Sequence, residues 1–305
     1  MSDLALLGIL STALFSGTSL LYAALGELVG QRAGIVNLGL EGVLLVSAAT
    51  GFSVTALSGN PYLGILAAAI AGALMNTVHG YLVISRKANQ LASGLALMFF
   101  GFGLSAWIGA DYVGARIVGL PRLDLPGLAG LPEVYASLVR FDILIWLVVP
   151  VAILVWWLLY RTRWGLGVRA VGESPDTVYA SGRSAQSIRY QALWLGGLLA
   201  GVGGAHLAIA YAMNWSENMT AGRGFIAIAL VIFAKWDPLR AIAGALLFSA
   251  AVAFQLLLQS SGFQVSPFLL STMPYLLTLL VLAIWGGRRR AAAPASLGRV
   301  YQGTE

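Results

Sequence analysis

Residues 141–160 read FDILIWLVVPVAILVWWLLY. Past Asp142 no charged side chain occurs until Arg161. A helix over the uncharged residues 143–160 is about 27 Å long, close to the ~30 Å hydrocarbon core of a bilayer. It is apolar all round, so it has no polar face to turn towards water. In lipid every backbone N–H and C=O must bond within the segment, which makes a helix the natural conformation.

The same reading extends along the chain. Leu4–Leu25, Ala33–Leu57, Tyr62–Ser85, Leu91–Ala110, Tyr190–Met213, Ala241–Leu258 and Phe268–Trp285 are each long and apolar enough to span. Leu4–Leu25 lacks a basic leader, so it reads as a retained helix rather than a signal peptide. Gly224–Ala234 is too short to cross upright and reads as a half-helix or a tilted short span. The expected fold is therefore all-α: a polytopic transmembrane helical bundle of about eight full spans plus one short or half span, in a single domain over 1–305. Composition agrees, with 59% hydrophobic and only 10% charged residues, against about 25% charged in soluble domains.

Basic residues set orientation. Placing the loop 161–189 in the cytoplasm puts fourteen of the eighteen Lys and Arg residues on that side, leaving Arg116, Arg122, Arg140 and Arg223 opposite. The N-terminus is then outside, and the tail 287–305 is cytoplasmic. The net charge of +6 is thus a matter of topology in a bilayer, not of nucleic-acid binding. The outer loop 111–140 is rich in Pro and Gly. The inner loop 161–189 carries a short helix, with Ser174 as cap, Pro175 in the first turn and Gly182 at its end.

Enzymatic equipment is sparse. The chain has no cysteine, and its only histidines are His79 and His206, so no common metal-ligand spacing is available. Its only lysines, Lys87 and Lys235, do not follow glycine, which excludes a phosphate-cradling loop of the GxxxxGK type. Ser93-Gly94 has Leu91 where a GxSG protease motif requires glycine.

Polar groups inside apolar spans are therefore the informative ones. Asn37 and Glu41 are one turn apart, so they share a helix face. They read either as a pathway wall or as a structural pair. Asn76, His79 and His206 read as packing residues. Asn89 and Gln90 open the fourth span, as a cap or as a gate. The segment 217–225, with Gly222, Arg223, Gly224 and Phe225, suggests irregular backbone beside a pathway, with a plain outer turn as the alternative.

Four strings together resemble a known family: GIVNLGLEG at 34–42, NQLASGLAL at 89–97, RAVGESPD at 169–176 and MTAGRGFIAIALVIF at 219–233. The chain resembles the permease subunit of bacterial ABC importers of the sugar and nucleoside type, most of all the nucleoside-like branch, from about Glu27 to Trp285. The resemblance implies an ABC importer permease fold, in an inner membrane, paired with a second permease. That partner is expected to be a different, longer paralogue, a homodimer being the alternative. It also implies a separate ATPase subunit and an extracytoplasmic substrate-binding protein. No cofactor is expected on this chain, ATP acting on the partner ATPase. The coupling helix would lie in Arg169–Gly182, with Gly172, Glu173, Ser174, Pro175, Ala180 and Gly182 as ATPase contacts. Asn37, Glu41, Asn89, Gln90 and Gly222–Phe225 would line the pathway or gate for a nucleoside or simple sugar. Ala234 departs from the family's usual glycine. A faint echo between Gly34-Ile-Val-Asn-Leu and Gly224-Phe-Ile-Ala-Ile suggests two structural repeats. The alternatives are an ion-driven secondary transporter, which needs an intramembrane relay that Glu41 alone supplies thinly, and an uncoupled channel or scaffold.

Overall fold

The computed structural model describes residues 3–123, 140–260 and 293–300, with isolated positions between them. Seven helices among these residues are long and apolar enough to cross a membrane, and the protein is a multi-pass membrane protein. The expected span Phe268–Trp285 lies outside the described residues, apart from isolated positions within it.

The helices are α1 (Asp3–Arg32), α2 (Leu40–Ser58), α3 (Pro61–Gly80, continued by a π-helical turn to Ser85), α4 (Gln90–Gly109), α5 (Ile143–Arg161), α6 (Arg163–Glu173), α7 (Pro175–Ala180), α8 (Ala185–Ala205, continued by a π-helical turn to Tyr211), α9 (Arg223–Phe233) and α10 (Pro238–Ser260). Short polar side chains start many of them by accepting bonds from free first-turn amides. Asn60 caps α3, Asn89 caps α4, Asp142 caps α5, Thr162 caps α6, Ser174 caps α7 and Ser184 caps α8. The short inner-loop helix thus has the Ser174 cap and the Pro175 first turn read from sequence, and Gly182 follows it with φ 78°.

The apolar spans sort into two layers. In α2, 78% of the apolar window is buried, against 33% in α4 and α5. The inner layer is α1, α2 and α8; α3, α4, α5 and α10 turn Leu66, Phe99, Leu154 and Leu246 outward. Small residues let the helices approach closely. A Cβ on Gly101 would lie 2.5 Å from the Cα of Gly42, and one on Gly26 would overlap the backbone of Gly196. These contacts fix α2 against α4 and α1 against α8.

Two sequence expectations change. The predicted span Ala33–Leu57 is broken: α1 runs on to Arg32, and α2 begins only at Leu40. Asn37 is in the linker between them, so it does not share a helix face with Glu41. Its Oδ1 accepts from the Gly39 amide (2.8 Å) instead. Gly34, with φ 84°, lies in the turn that ends α1, whereas Gly224 is in the first turn of α9. The two backbone positions are therefore not equivalent.

One end of the bundle gathers Arg32, Tyr160 and Trp236: Arg32 donates to Tyr160 Oη (2.7 Å) and to the Trp236 carbonyl (3.0 Å). Arg189 joins them through the Ala33 carbonyl (3.2 Å). At the opposite end Trp215 and Asn214 bridge to Val113 and Arg116. Between Trp215 and Trp236 the chain changes ends, first as irregular backbone and then as the half-helix α9.

Candidate functional site

The half-helix α9 starts inside the bundle. Two left-handed residues in sequence, Ala221 (φ 46°) and Gly222 (φ 83°), turn the chain so that the amides of Gly222 and Gly224 face one point. Glu41, in the first turn of α2, occupies that point. Its Oε1 accepts from Thr220 Oγ1 (2.6 Å) and the Gly222 amide (2.7 Å), and its Oε2 from the Gly224 amide (2.6 Å). Glu41 is 4% exposed. A carboxylate at a helix N-terminus is stabilised by free N–H groups and the helix dipole. The contact tolerates no side chain at position 224, because a Cβ there would lie 2.5 Å from the Glu41 nitrogen.

Arg223 points away from Glu41. Its guanidinium donates to the Ser16 carbonyl (2.9 Å) and Ser19 Oγ (3.2 Å), and sits over the Tyr211 ring at 5.3 Å. Ser16 is sixteen residues from the Arg32 end of α1, about 24 Å along the axis. Arg223 was counted with an outer loop in the sequence; it lies inside the bundle, at the middle of α1.

A cavity of about 330 Å³ opens beside it, between α1, α9 and α10. Ser16, Thr220, Arg223, Ser249 and Gln255 supply polar groups; Leu20, Ile226, Phe248 and Val252 form the apolar wall. The size falls in the range of small-molecule sites, as does the mix of apolar wall and a few polar groups. Thr220 links the two halves of the site, since it both lines the cavity and bonds Glu41.

The remaining sequence candidates lie elsewhere. Asn37 joins a separate buried network: its Nδ2 donates to Asn76 Oδ1 (3.0 Å), whose own amide donates to the Leu193 carbonyl (3.0 Å). The network includes Glu27, whose Oε1 accepts from the Asn37 amide (3.1 Å) and from Gln31 Nε2 (2.9 Å). Glu27 is a second intramembrane carboxylate; ending the first span at Leu25 hid it. Asn89 caps α4, accepting from the amides of Leu91 (2.9 Å) and Ala92 (3.0 Å). Gln90 ties the α1–α2 linker, with Oε1 on the Val36 amide (2.9 Å) and Nε2 on the Gly34 carbonyl (3.2 Å). Phe225 is exposed on α9.

The coupling candidates form one patch at the Arg32 end. Gly172 abuts the Arg32 carbonyl so closely that a Cβ would overlap it. Glu173, Asp176, Thr177, Tyr179 and Ala180 are exposed, and Pro175 is buried beneath them. Tyr179, 57% exposed at the tip of α7, was not singled out in the sequence.

His79 bonds Ser93 and the Val36 carbonyl (3.1 and 3.2 Å), as a packing residue does. His206 approaches Asp142 at 3.5 Å. Among the described residues no group of three or more His, Asp or Glu side chains could hold a metal.

These features, a bundle of spans with an internal half-helix, a polar cavity and an exposed cap-and-helix patch at one end, describe a solute permease. Residues 9–284 match the family described as branched-chain amino acid transport system / permease component, and the chain belongs to that family. It is 39% identical to a putative glucose ABC transporter permease protein of Haloferax volcanii, over 96% of this chain and 97% of that one. It is 32% identical to a guanosine ABC transporter permease protein of Bacillus subtilis, with 92% of each chain covered. It is also 32% identical to a nucleoside ABC transporter permease protein of Lactococcus lactis, with 96% of each covered. No solved structure matches the chain.

Proposed function

We propose that this permease carries a small uncharged polar solute, a nucleoside or simple sugar, into the cell. The carrying observation is the 330 Å³ cavity of hydroxyl, amide and guanidinium groups beside the buried start of α9. Its polar groups suit a solute rich in hydroxyls and carbonyls. The cationic lining residue Arg223 is already engaged by Ser16, Ser19 and Tyr211. Among the described residues no carboxylate lines the cavity to hold a cation.

In this reading the chain pairs with a second permease, a different and longer paralogue. An extracytoplasmic binding protein delivers the solute. The chain itself hydrolyses nothing and holds no cofactor; ATP acts on a separate ATPase docked against α6 and α7. The N-terminus is outside, and the Arg32 end is cytoplasmic. Glu41 fixes the start of α9, so movement of α9 relative to α2 would open or close the cavity. The full engagement of Glu41 by three donors argues against its use as a proton relay.

Solute uptake by vesicles containing the complete importer tests the proposal. Labelled guanosine or glucose should accumulate only with ATP on the ATPase side, and dissipating ion gradients should leave the rate unchanged. Uptake that follows an imposed ion gradient without ATP would refute it.

A further inference from the structure

Residues 293–300 end up beside the patch assigned to the ATPase. Pro294 and Ser296 are buried, and residues 295–298 form a turn. Ser296 is the anchor. Its amide donates to the Gly172 carbonyl (2.9 Å), and its Oγ donates to the same carbonyl (2.7 Å) and lies 3.2 Å from that of Val171. These carbonyls end α6, immediately before Glu173 and the Ser174 cap of α7. The Ala295 amide adds a bond to Glu173 Oε2 (3.3 Å).

The other side of the turn faces the linker that leads to Glu41. Arg189 donates to Ser296 Oγ (3.4 Å) and, through Nε, to the Ala33 carbonyl (3.2 Å). Gln90 Nε2 donates both to the Arg299 carbonyl (3.1 Å) and to the Gly34 carbonyl (3.2 Å). Gly34 is itself in contact with Ser296, since a Cβ on it would overlap the hydroxyl. Seven residues beyond Gly34 the chain reaches Glu41.

We infer that the turn 293–300 is a strut joining the α6–α7 patch to the 33–36 linker, so that displacement of the patch by the ATPase reaches Glu41 and α9 through Ser296. Ser296 is a positioning residue here; it touches neither solute nor nucleotide. A continuous chain of hydrogen bonds anchored on the buried Ser296, Arg189 and Gln90 transmits displacement because close-packed interiors do not absorb it. The inference rests on the ATPase docking reading above.

The test uses the complete importer, isolated through this chain and reconstituted in vesicles. Two variants stand beside the wild type: Ser296→Ala, and a chain ending at Ala292. Subunit recovery, basal ATP hydrolysis and its stimulation by solute-loaded binding protein are measured for each. Both variants are expected to keep the ATPase bound and hydrolysing at the basal rate. Stimulation should fall by about fivefold or more in the shortened chain, the scale of an ordinary coupling energy, and by less in Ser296→Ala, which keeps the backbone bond to Gly172. Full stimulation in Ser296→Ala and in the shortened chain would overturn the strut. So would loss of the bound ATPase from Ser296→Ala, because the tail would then be an adhesive contact. A shortened chain that does not fold leaves Ser296→Ala to decide. If the wild type itself binds no ATPase, the docking reading fails first.

Discussion

Replacing Glu41 by Gln changes almost no volume, yet it removes the charge that holds α9. One acceptor oxygen becomes an NH2 group. The best orientation keeps the remaining oxygen on Thr220 Oγ1 and the Gly222 amide, so the new nitrogen faces the Gly224 amide, donor against donor. A buried N–H without an acceptor costs about 1–3 kcal/mol, and losing an anion from a helix N-terminus adds about 1 kcal/mol. The start of α9 should therefore open about 3 kcal/mol more easily, or ~100-fold more often. The absence of cysteine makes this measurable. Ile226 is half-buried on the cavity wall, so Ile226→Cys reports opening through its rate of maleimide modification. That rate should rise ~100-fold when Glu41→Gln is added, the scale set by the opening energy. An unchanged rate, with normal uptake, would refute the claim that the carboxylate fixes α9.

Other outcomes follow from the same geometry. Gly224→Ala forces a methyl against the backbone of Glu41; uptake should be abolished and thermal stability in detergent should drop, whereas Phe225→Ala, at an exposed position, should leave stability unchanged. Ser249→Leu fills the cavity with apolar volume, so uptake should fall at least tenfold while the ATPase still co-purifies; unchanged uptake would move the solute site elsewhere. Asn37→Leu strips the acceptor of the Gly39 amide and the donor to Asn76. At about 1–3 kcal/mol for each buried group left unpaired, it should lower the midpoint of thermal unfolding without altering solute selectivity.

The spans were legible because the membrane makes a strong and simple demand: about twenty apolar residues and no unsatisfied backbone. The cap of α7 was legible too, because Ser174-Pro175 is a local signal that needs no tertiary partner. The break between Arg32 and Leu40 was not. Residues 33–57 are apolar enough on average to read as one span despite Asn37 and Glu41, and their irregular start is held by distant groups, Gln90, Asn76 and Glu27. The half-helix was readable from Gly222 and Gly224, but its meeting with Glu41, 183 residues away from Gly224, was not. Ser16 and Ser249 gave no warning, since a lone serine in a spanning helix usually bonds its own backbone. They become informative only once α1 and α10 bring them to one cavity. The strut at Ser296 lay in a stretch that reads as a plain charged tail.

As proposed above, this chain is the permease of an ATP-driven importer whose ATPase docks at α6 and α7. The most direct measurement is recovery of the tagged chain from native membranes in mild detergent, with its companions identified by mass spectrometry. Gly172→Asp, whose side chain would collide with the Arg32 carbonyl, is prepared alongside. A P-loop ATPase and a second permease should accompany the wild type, and the ATPase should be lost from Gly172→Asp. A folded wild-type chain that repeatedly emerges without any ATPase would contradict the account.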